Sequence, residues 1–210
     1  SLMSETSDKT SWGGEIFEGK PFAELQKAFV GRLGGGADGT KANKAAYITG
    51  YESVEGIEDE DLNMIISGAC GGDENHAEVA NTILNIALRS KRFVAFISPK
   101  MSDVVNVEPN AVIENIEATH KALTSLHSYG HMSTGYKFQY DKYSDAYRWI
   151  PGNADDAGLY ARAHNTVGKF ISAAGYNRGK YANTVSIAYN PDKTARDRLY
   201  KLGINSIIQE

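Results

Sequence analysis

The chain has 210 residues, 41% of them hydrophobic and 23% charged, with a formal net charge of −4. That is an ordinary globular composition, and its mixed, slightly acidic charge gives no sign of a nucleic-acid surface. No apolar run approaches the roughly 20 residues that cross a bilayer, and the single cysteine, Cys70, allows neither an internal disulfide nor a cysteine metal cluster.

Residues 1–14 are rich in Ser, Thr, Gly and charge and read as a flexible or edge segment, with residues 15–210 as one α/β domain. Glu15 to Phe29 carries Ile16, Phe17, Phe22, Leu25 and Phe29 without a decisive period. Ala28 to Leu33 reads as a short strand entering Gly34-Gly35-Gly36, and Thr40 as the cap of a helix through Ser53. Glu55 to Asp61 is an acidic run, read as a solvated loop or helix end. Leu62 to Ser67 predicts a buried strand. A helix follows from Asp73 or Asn75 to Ser90, with Val79, Ile83 and Ile86 on one face. Arg92 to Ser98 predicts the next buried strand, ended by Pro99. Met101 to Val107 reads as a loop with exposed valines. Pro109 or Asn110 opens a helix to about Ser128, striped by Ile113, Ile116, Leu123 and Leu126. This alternation predicts a mixed α/β fold, its partly parallel central sheet flanked by helices.

The last third has a clear local grammar. Tyr136 to Tyr140 alternates like a strand, Asp141 to Asp145 is a polar turn, and Ala146 to Ile150 is a second strand stopped by Pro151-Gly152. Asn153 fits a helix N-cap with Asp155 and Asp156 in the first turn, and Gly158 with the alanines predicts close packing of that helix. Ser172 to Gly179 is a loop and Tyr181 to Tyr189 a strand. Asn190-Pro191 opens a last helix, supported by Asp192 with Arg196 and Lys193 with Asp197, and ended by Gly203.

Several groupings invite a chemical reading. Gly34-x-Gly36-x-x-Gly39 matches the dinucleotide fingerprint between a strand and a helix. The acidic residue of that fold belongs at the end of the second strand, yet Glu58 to Asp61 precedes Leu62 to Ser67, and consecutive glycines suit any tight turn. Gly68-Ala-Cys70-Gly-Gly72 has the spacing of a nucleophile elbow, with Asp103, Asp141 and His164 as partners on paper. His164 falls inside a predicted helix, and a buried small thiol beside a glycine turn is the commoner arrangement. The five histidines, His76, His120, His127, His131 and His164, show no paired-ligand spacing. The run Tyr136, Tyr140, Lys142, Tyr143, Tyr147, Arg148 and Trp149 resembles a base-stacking platform. Asp141 and Asp145 balance its charge, which favours a protein interface, with Tyr143, Tyr147 and Arg148 as candidates. In Gly175 to Gly179, flanking glycines hold Tyr176 and Arg178 either toward a neighbouring subunit or as a lid on the core.

Four stretches, YKFQYDKYSD (136–145), WIPGNADDAGLYAR (149–162), AAGYNRG (173–179) and DRLYKLGIN (197–205), also carry a resemblance. They resemble, in the same order and at similar spacing, the YKYQYDKYND, RWVPLAADIAGLCAR, SPAGYNRG and RDRLYQEAIN runs of the contractile tail sheath proteins of T-even-like bacteriophages. The match is weaker but continuous from Ile65 to Pro99. Ala173 stands where the family pattern has Pro, and the His164 to Ile171 segment is short. The resemblance implies a subtilisin-like α/β core cut from a longer protein. It further implies a structural subunit that polymerises helically with its own copies around the tail tube, meets baseplate proteins, and contracts to drive the tube through the host envelope. Made in the host cytoplasm, such a subunit resides in the virion. No catalytic residue, cofactor or metal is implied, nor nucleic-acid binding or membrane insertion. Candidate interface residues are then Tyr143, Tyr147, Arg148, Tyr176 and Arg178, with Glu58, Asp59, Glu60 and Asp61 as an acidic counter-surface. Without the family's linking end segments, the chain is expected to be monomeric or weakly associated.

Overall fold

A computed structural model describes residues 35–37, 39–123 and 127–209. The expectations for residues 1–33, for Gly34 and for Leu126 lie outside the described residues. The chain falls into two units, Ser1–Lys41 and Ala42–Glu210. In the first, the described residues hold no helix or strand, and Gly35 has φ +77°. Every element below belongs to the second.

Helix α1 (Lys44–Glu55) begins where the Asn43 side chain accepts the Ala46 N–H, so Asn43 rather than Thr40 is its cap. Strand β1 (Met64–Ile66) is followed by α2 (His76–Ser90), β2 (Val94–Ile97), the single-turn α3 (Met101–Val104), α4 (Pro109–Ala122) and β3 (Gly130–Met132). The three strands pair in parallel in the order β1-β2-β3. Two successive right-handed crossovers in one direction place α2 and α4 on the same face. There Val79, Ile83 and Ile86 of α2 and Val112 and Ile116 of α4 join Ile65, Ala95, Ile97 and Met132 in one buried cluster.

The alternation read from the sequence is therefore present, with three corrections. The third parallel strand is Gly130–Met132, in a stretch for which no strand was predicted. Met101–Val107 is not an exposed loop: Val104 is fully buried in α3 and Val105 nearly so. Leu62–Ser67 is an edge strand reduced to Met64–Ile66, with Ile66 exposed.

The aromatic hairpin forms as predicted. Strands β4 (Tyr136–Asp141) and β5 (Ala146–Pro151) pair antiparallel, with Phe138 opposite Trp149 and Tyr140 opposite Tyr147. The predicted strand Tyr181 to Tyr189 shrinks to β6 (Ser186–Ile187), which pairs with β4. Two helices complete the chain, α5 (Asn153–Thr166) and α6 (Lys193–Lys201). The cap of α6 is Asp192, whose carboxylate accepts the Ala195 N–H, so Asn190-Pro191 lies just before the helix rather than in it. Gly203, at φ +75°, follows its end as expected.

Helix α5 covers the second face of the parallel sheet. The Tyr160 ring meets Phe96 at 5.6 Å and His131 at 5.5 Å between centroids. Asn153 is its first residue and not its cap. The fully buried Asn153 side chain donates to Ser67 Oγ (2.8 Å) and to the Gly68 carbonyl (2.7 Å), and its backbone N–H donates to Ser98 Oγ (3.1 Å). One residue thus fixes the start of α5, by its side chain to the end of β1 and by its backbone N–H to the end of β2. Gly158 has open space around it, so close approach comes from buried Ala157 and Ala163 instead.

Candidate subunit interface

Exposed aromatic side chains gather on two features, the β4–β5 hairpin and the loop after α5. Register places Phe138, Tyr140, Tyr147 and Trp149 on one face of the hairpin. Their rings form a ladder, Phe138 lying 4.8 Å from Trp149 and 5.4 Å from Tyr147, and Tyr140 lying 5.3 Å from Tyr147. The tip is ordered by its own polar groups. The Tyr140 hydroxyl donates to Asp145 (2.7 Å), the Tyr143 N–H to Asp141 (3.0 Å), and Arg148 pairs with Asp141 at 3.2 Å. The hydrogen bond to Asp145 pushes the Tyr140 phenol above its usual range. Tyr143 lies outside the ladder at 89% exposed, and Tyr147, though packed against Phe138 and Tyr140, is still 55% exposed. Of the sequence candidates, these two present bare aromatic surface, while Arg148 is partly spent on its own hairpin.

Gly175 to Gly179 closes on itself. Gly175 takes φ +118°, and its carbonyl accepts the N–H of Arg178 (3.2 Å) and of Gly179 (2.7 Å). A Cβ on Gly179 would stand 3.0 Å from the Gly175 carbonyl oxygen, so this turn needs its second glycine. Arg178 is exposed and folds back on its own loop, donating to the carbonyls of Ser172 (3.2 Å) and Ala174 (3.4 Å). Arg162 of α5 donates to the carbonyls of Arg178 and Lys180. Tyr176 is exposed and carries the Lys180 ammonium 3.9 Å from its ring centroid. Of the two readings left open, Tyr176 faces outward, while Arg178 holds the loop.

Glu58, Asp59, Glu60 and Asp61 lie exposed between α1 and β1, apart from both features in sequence. Among the described residues, none of these four carboxylates pairs with a cation.

Beneath the loop runs a groove of about 720 Å³, between α5, residues 173–187 and residues 205–209. Its floor is a polar cluster that sequence reasoning missed. Asp156 accepts from Ser133 Oγ (2.5 Å) and from the Tyr181 hydroxyl (2.6 Å), with His131 Nε2 3.3 Å away. Burial first, and the Asp156 carboxylate second, push the Tyr181 phenol far above its usual range. Beside it Lys137, 6% exposed, donates from Nζ to Asp155 (2.7 Å) and to the Ala182 carbonyl (3.1 Å). The signal available in the sequence was a lysine at an inward position of an aromatic strand.

The thiol and histidine candidates are placed differently from a reactive site. Cys70 sits in the turn after β1 at φ +51°, fully buried, and burial pushes its thiol up to about 11. At neutral pH roughly one thiol in ten thousand is then ionised. Asp103 is engaged by Thr119 Oγ1 at 2.5 Å, Asp141 by Arg148, and His164 is exposed on α5, so these groups do not assemble around Cys70. His76 is buried with Nε2 2.7 Å from the Ser98 carbonyl, and burial lowers its pKa. Among the described residues no group of three or more His, Cys, Asp or Glu side chains converges as a metal site. Iodoacetamide is expected to label Cys70 at least about a hundredfold more slowly in the native protein than in denaturant. Comparable rates, read by mass spectrometry, would show the turn to be open.

No family model matches the chain. Curated relatives do. It is 32% identical over 160 residues to the tail sheath protein of Enterobacteria phage T4, covering 71% of this chain and 24% of that protein. It is 29% identical over 193 residues to the tail sheath protein of Vibrio phage KVP40, covering 84% of this chain and 28% of the relative. It is 30% identical over 187 residues to the tail sheath protein of Salmonella phage ViI, covering 89% of this chain and 28% of the relative. The chain spans about a quarter of the length of the curated relatives it matches. Over that shared sequence, which takes in most of the fold just described, the chain is similar to phage tail sheath proteins.

Proposed function

We propose that the chain is the α/β core of a structural subunit of a contractile tail sheath. In this reading copies of the subunit polymerise helically around the tail tube, anchor at the baseplate, and contract to drive the tube through the host envelope. The subunit is made in the host cytoplasm and resides in the virion. The carrying observation is the continuous similarity to three tail sheath proteins. The geometry is of a kind the role needs. A sheath subunit must keep its body rigid while its contacts exchange one packing for another, and repeated heterologous contacts that do not close generate a helical polymer. Here the start of α5 is fixed to the parallel sheet through Asn153, and to the hairpin through Lys137 and Asp155. The contacts are proposed to involve Tyr143, Tyr147, Arg148 and Tyr176, with Arg178 shaping its loop and Glu58 to Asp61 meeting positive charge on neighbours. The free energy of contraction resides in the assembled state, so neither a nucleotide nor a catalytic group has a part in it.

Electron microscopy of the complete gene product tests this reading. Tubes with a regular helical repeat are expected. Dispersed particles at every salt concentration and protein concentration tried would overturn it.

A further inference from the structure

The segment after α5 is the most exposed apolar feature among the described residues. Phe170 is 99% exposed, with Val167 at 53% and Ile171 at 43%, and Tyr176 of the same loop system is 69% exposed. Its charge is equally one-sided. From Ala157 to Pro191 there is no Asp or Glu, while Arg162, Lys169, Arg178 and Lys180 are all cationic. Among the described residues, none of the four forms an ion pair with a carboxylate. Arg162 and Arg178 spend their N–H groups on backbone carbonyls, Lys180 lies over the Tyr176 ring, and Lys169 is exposed. The Val167–Ser172 segment has its own turn bonds, from Gly168 N–H to the Ala163 carbonyl and from Ile171 N–H to the Gly168 carbonyl, so part of its order precedes any partner, which lowers the entropy lost on docking.

The same molecule carries the complement. Glu58, Asp59, Glu60 and Asp61 are four consecutive exposed carboxylates, and Ile57 beside them is 37% exposed. The guanidinium of Arg92, which is nearby, donates instead to the carbonyls of Glu55 and Ile57 and so stiffens the base of the run. Among the described residues, no bond joins these carboxylates to Lys169, Arg178 or Lys180 of the same chain. One surface is apolar and basic, the other apolar and acidic, and they stay apart within the subunit.

We infer that the Val167–Ser172 loop of one subunit docks on the Ile57–Asp61 segment of a second copy of this chain. The sheath reading supplies the identity of the partner, a neighbouring copy. Opposite charges would speed the encounter and set its register, and the Phe170 ring would supply the apolar anchor. Because both charged surfaces are exposed, the contact weakens as salt shortens the screening length to about 8 Å at physiological ionic strength.

The test places the photo-crosslinking residue p-benzoylphenylalanine at position 170 and mixes light with isotopically heavy protein. The expected product joins position 170 of one copy to residues 57–62 of the other isotope. Lys169→Glu should lower its yield roughly five-fold or more, as should Glu58→Lys with Asp59→Lys, and combining the two changes should restore it. Circular dichroism and melting temperature confirm that each variant is folded. Crosslinks confined to one copy, crosslinks to other surfaces or to co-purifying nucleic acid, or yields indifferent to both reversals would overturn the inference. Tubes that assemble normally with no such crosslink would leave the sheath reading standing and remove this contact. A crosslink between copies that form no tubes would do the reverse.

Discussion

Asp155→Asn is expected to lower the stability of the fold by about 3 kcal/mol, far more than loss of any exposed ion pair. The Lys137 side chain is 6% exposed and that of Asp155 17%, with 2.7 Å between Nζ and Oδ1. Removing the carboxylate charge leaves an ammonium group out of water without its counter-charge, held only by neutral acceptors, the amide oxygen and the Ala182 carbonyl. The loss of a partner in a buried pair is severe because the remaining charge is stranded. Asp155 also stands in the first turn of α5, where the helix dipole favours a negative charge, so the substitution removes two stabilising terms together. For a domain of this size the melting temperature should fall by roughly 6–12 °C. Lys137→Met combined with Asp155→Asn should recover most of that loss, because an apolar side chain needs no counter-charge. Calorimetry on the two single variants and the double decides the matter. A shift under about 2 °C for Asp155→Asn would mean that water reaches Lys137 and that the pair does not tie β4 to α5. The exposed pair Lys44–Glu78, with side chains 42% and 61% exposed, is the natural control and should change little when broken.

What was legible in the sequence follows from which forces act locally. Helices α2 and α4 were visible because Val79, Ile83 and Ile86, and Ile113 and Ile116, repeat at helical spacing, and because Pro109 marks a helix start. The hairpin was visible because its aromatic residues alternate over two adjacent runs. Short elements were not. Gly130–Met132 is three residues with a glycine first, and it becomes a strand only because β2 offers a parallel edge beside it. Val104 and Val105 looked like loop residues because α3 is one turn long, too short to show a period. Tyr181 sits in a stretch with strand propensity, yet its hydroxyl is held by Asp156, 25 positions away in sequence, and pairing with β4 involves only Ser186 and Ile187. Asn153 was misread for a related reason. Its residue type and place fit a cap, but its side-chain partners, Ser67 and Gly68, lie 86 and 85 positions back along the chain. The interface candidates were chosen by residue type, and of these Tyr143 and Tyr176 are exposed. Residue type could not separate Arg178, which binds its own loop, from a cation free to meet a neighbour.

Two phenylalanines give the sharpest contrast between folding and assembly. Phe93 enters β2 at 1% exposure inside the main cluster, whereas Phe170 is 99% exposed. Phe93→Ala removes a ring from a close-packed interior and leaves a cavity, so about 3–5 kcal/mol of stability should be lost. That is a large part of the 5–15 kcal/mol that holds a typical domain together, and at the upper end this variant would be substantially unfolded at 37 °C. Phe170→Ala removes the same atoms from water and should leave stability within about 0.5 kcal/mol. Urea titrations of both variants measure the difference directly, with the midpoint moving for Phe93→Ala and staying for Phe170→Ala. Association should rank the other way at temperatures where both variants are folded. The Phe93→Ala protein keeps its surface and still associates, while the Phe170→Ala protein loses its anchor. A subunit that exchanges neighbours without losing its shape requires that separation, since a residue serving both purposes would couple each change of contact to partial unfolding. If Phe170→Ala instead destabilised the monomer by more than about 1 kcal/mol, the ring would have a packing partner within its own chain, and the loop would not be free to dock.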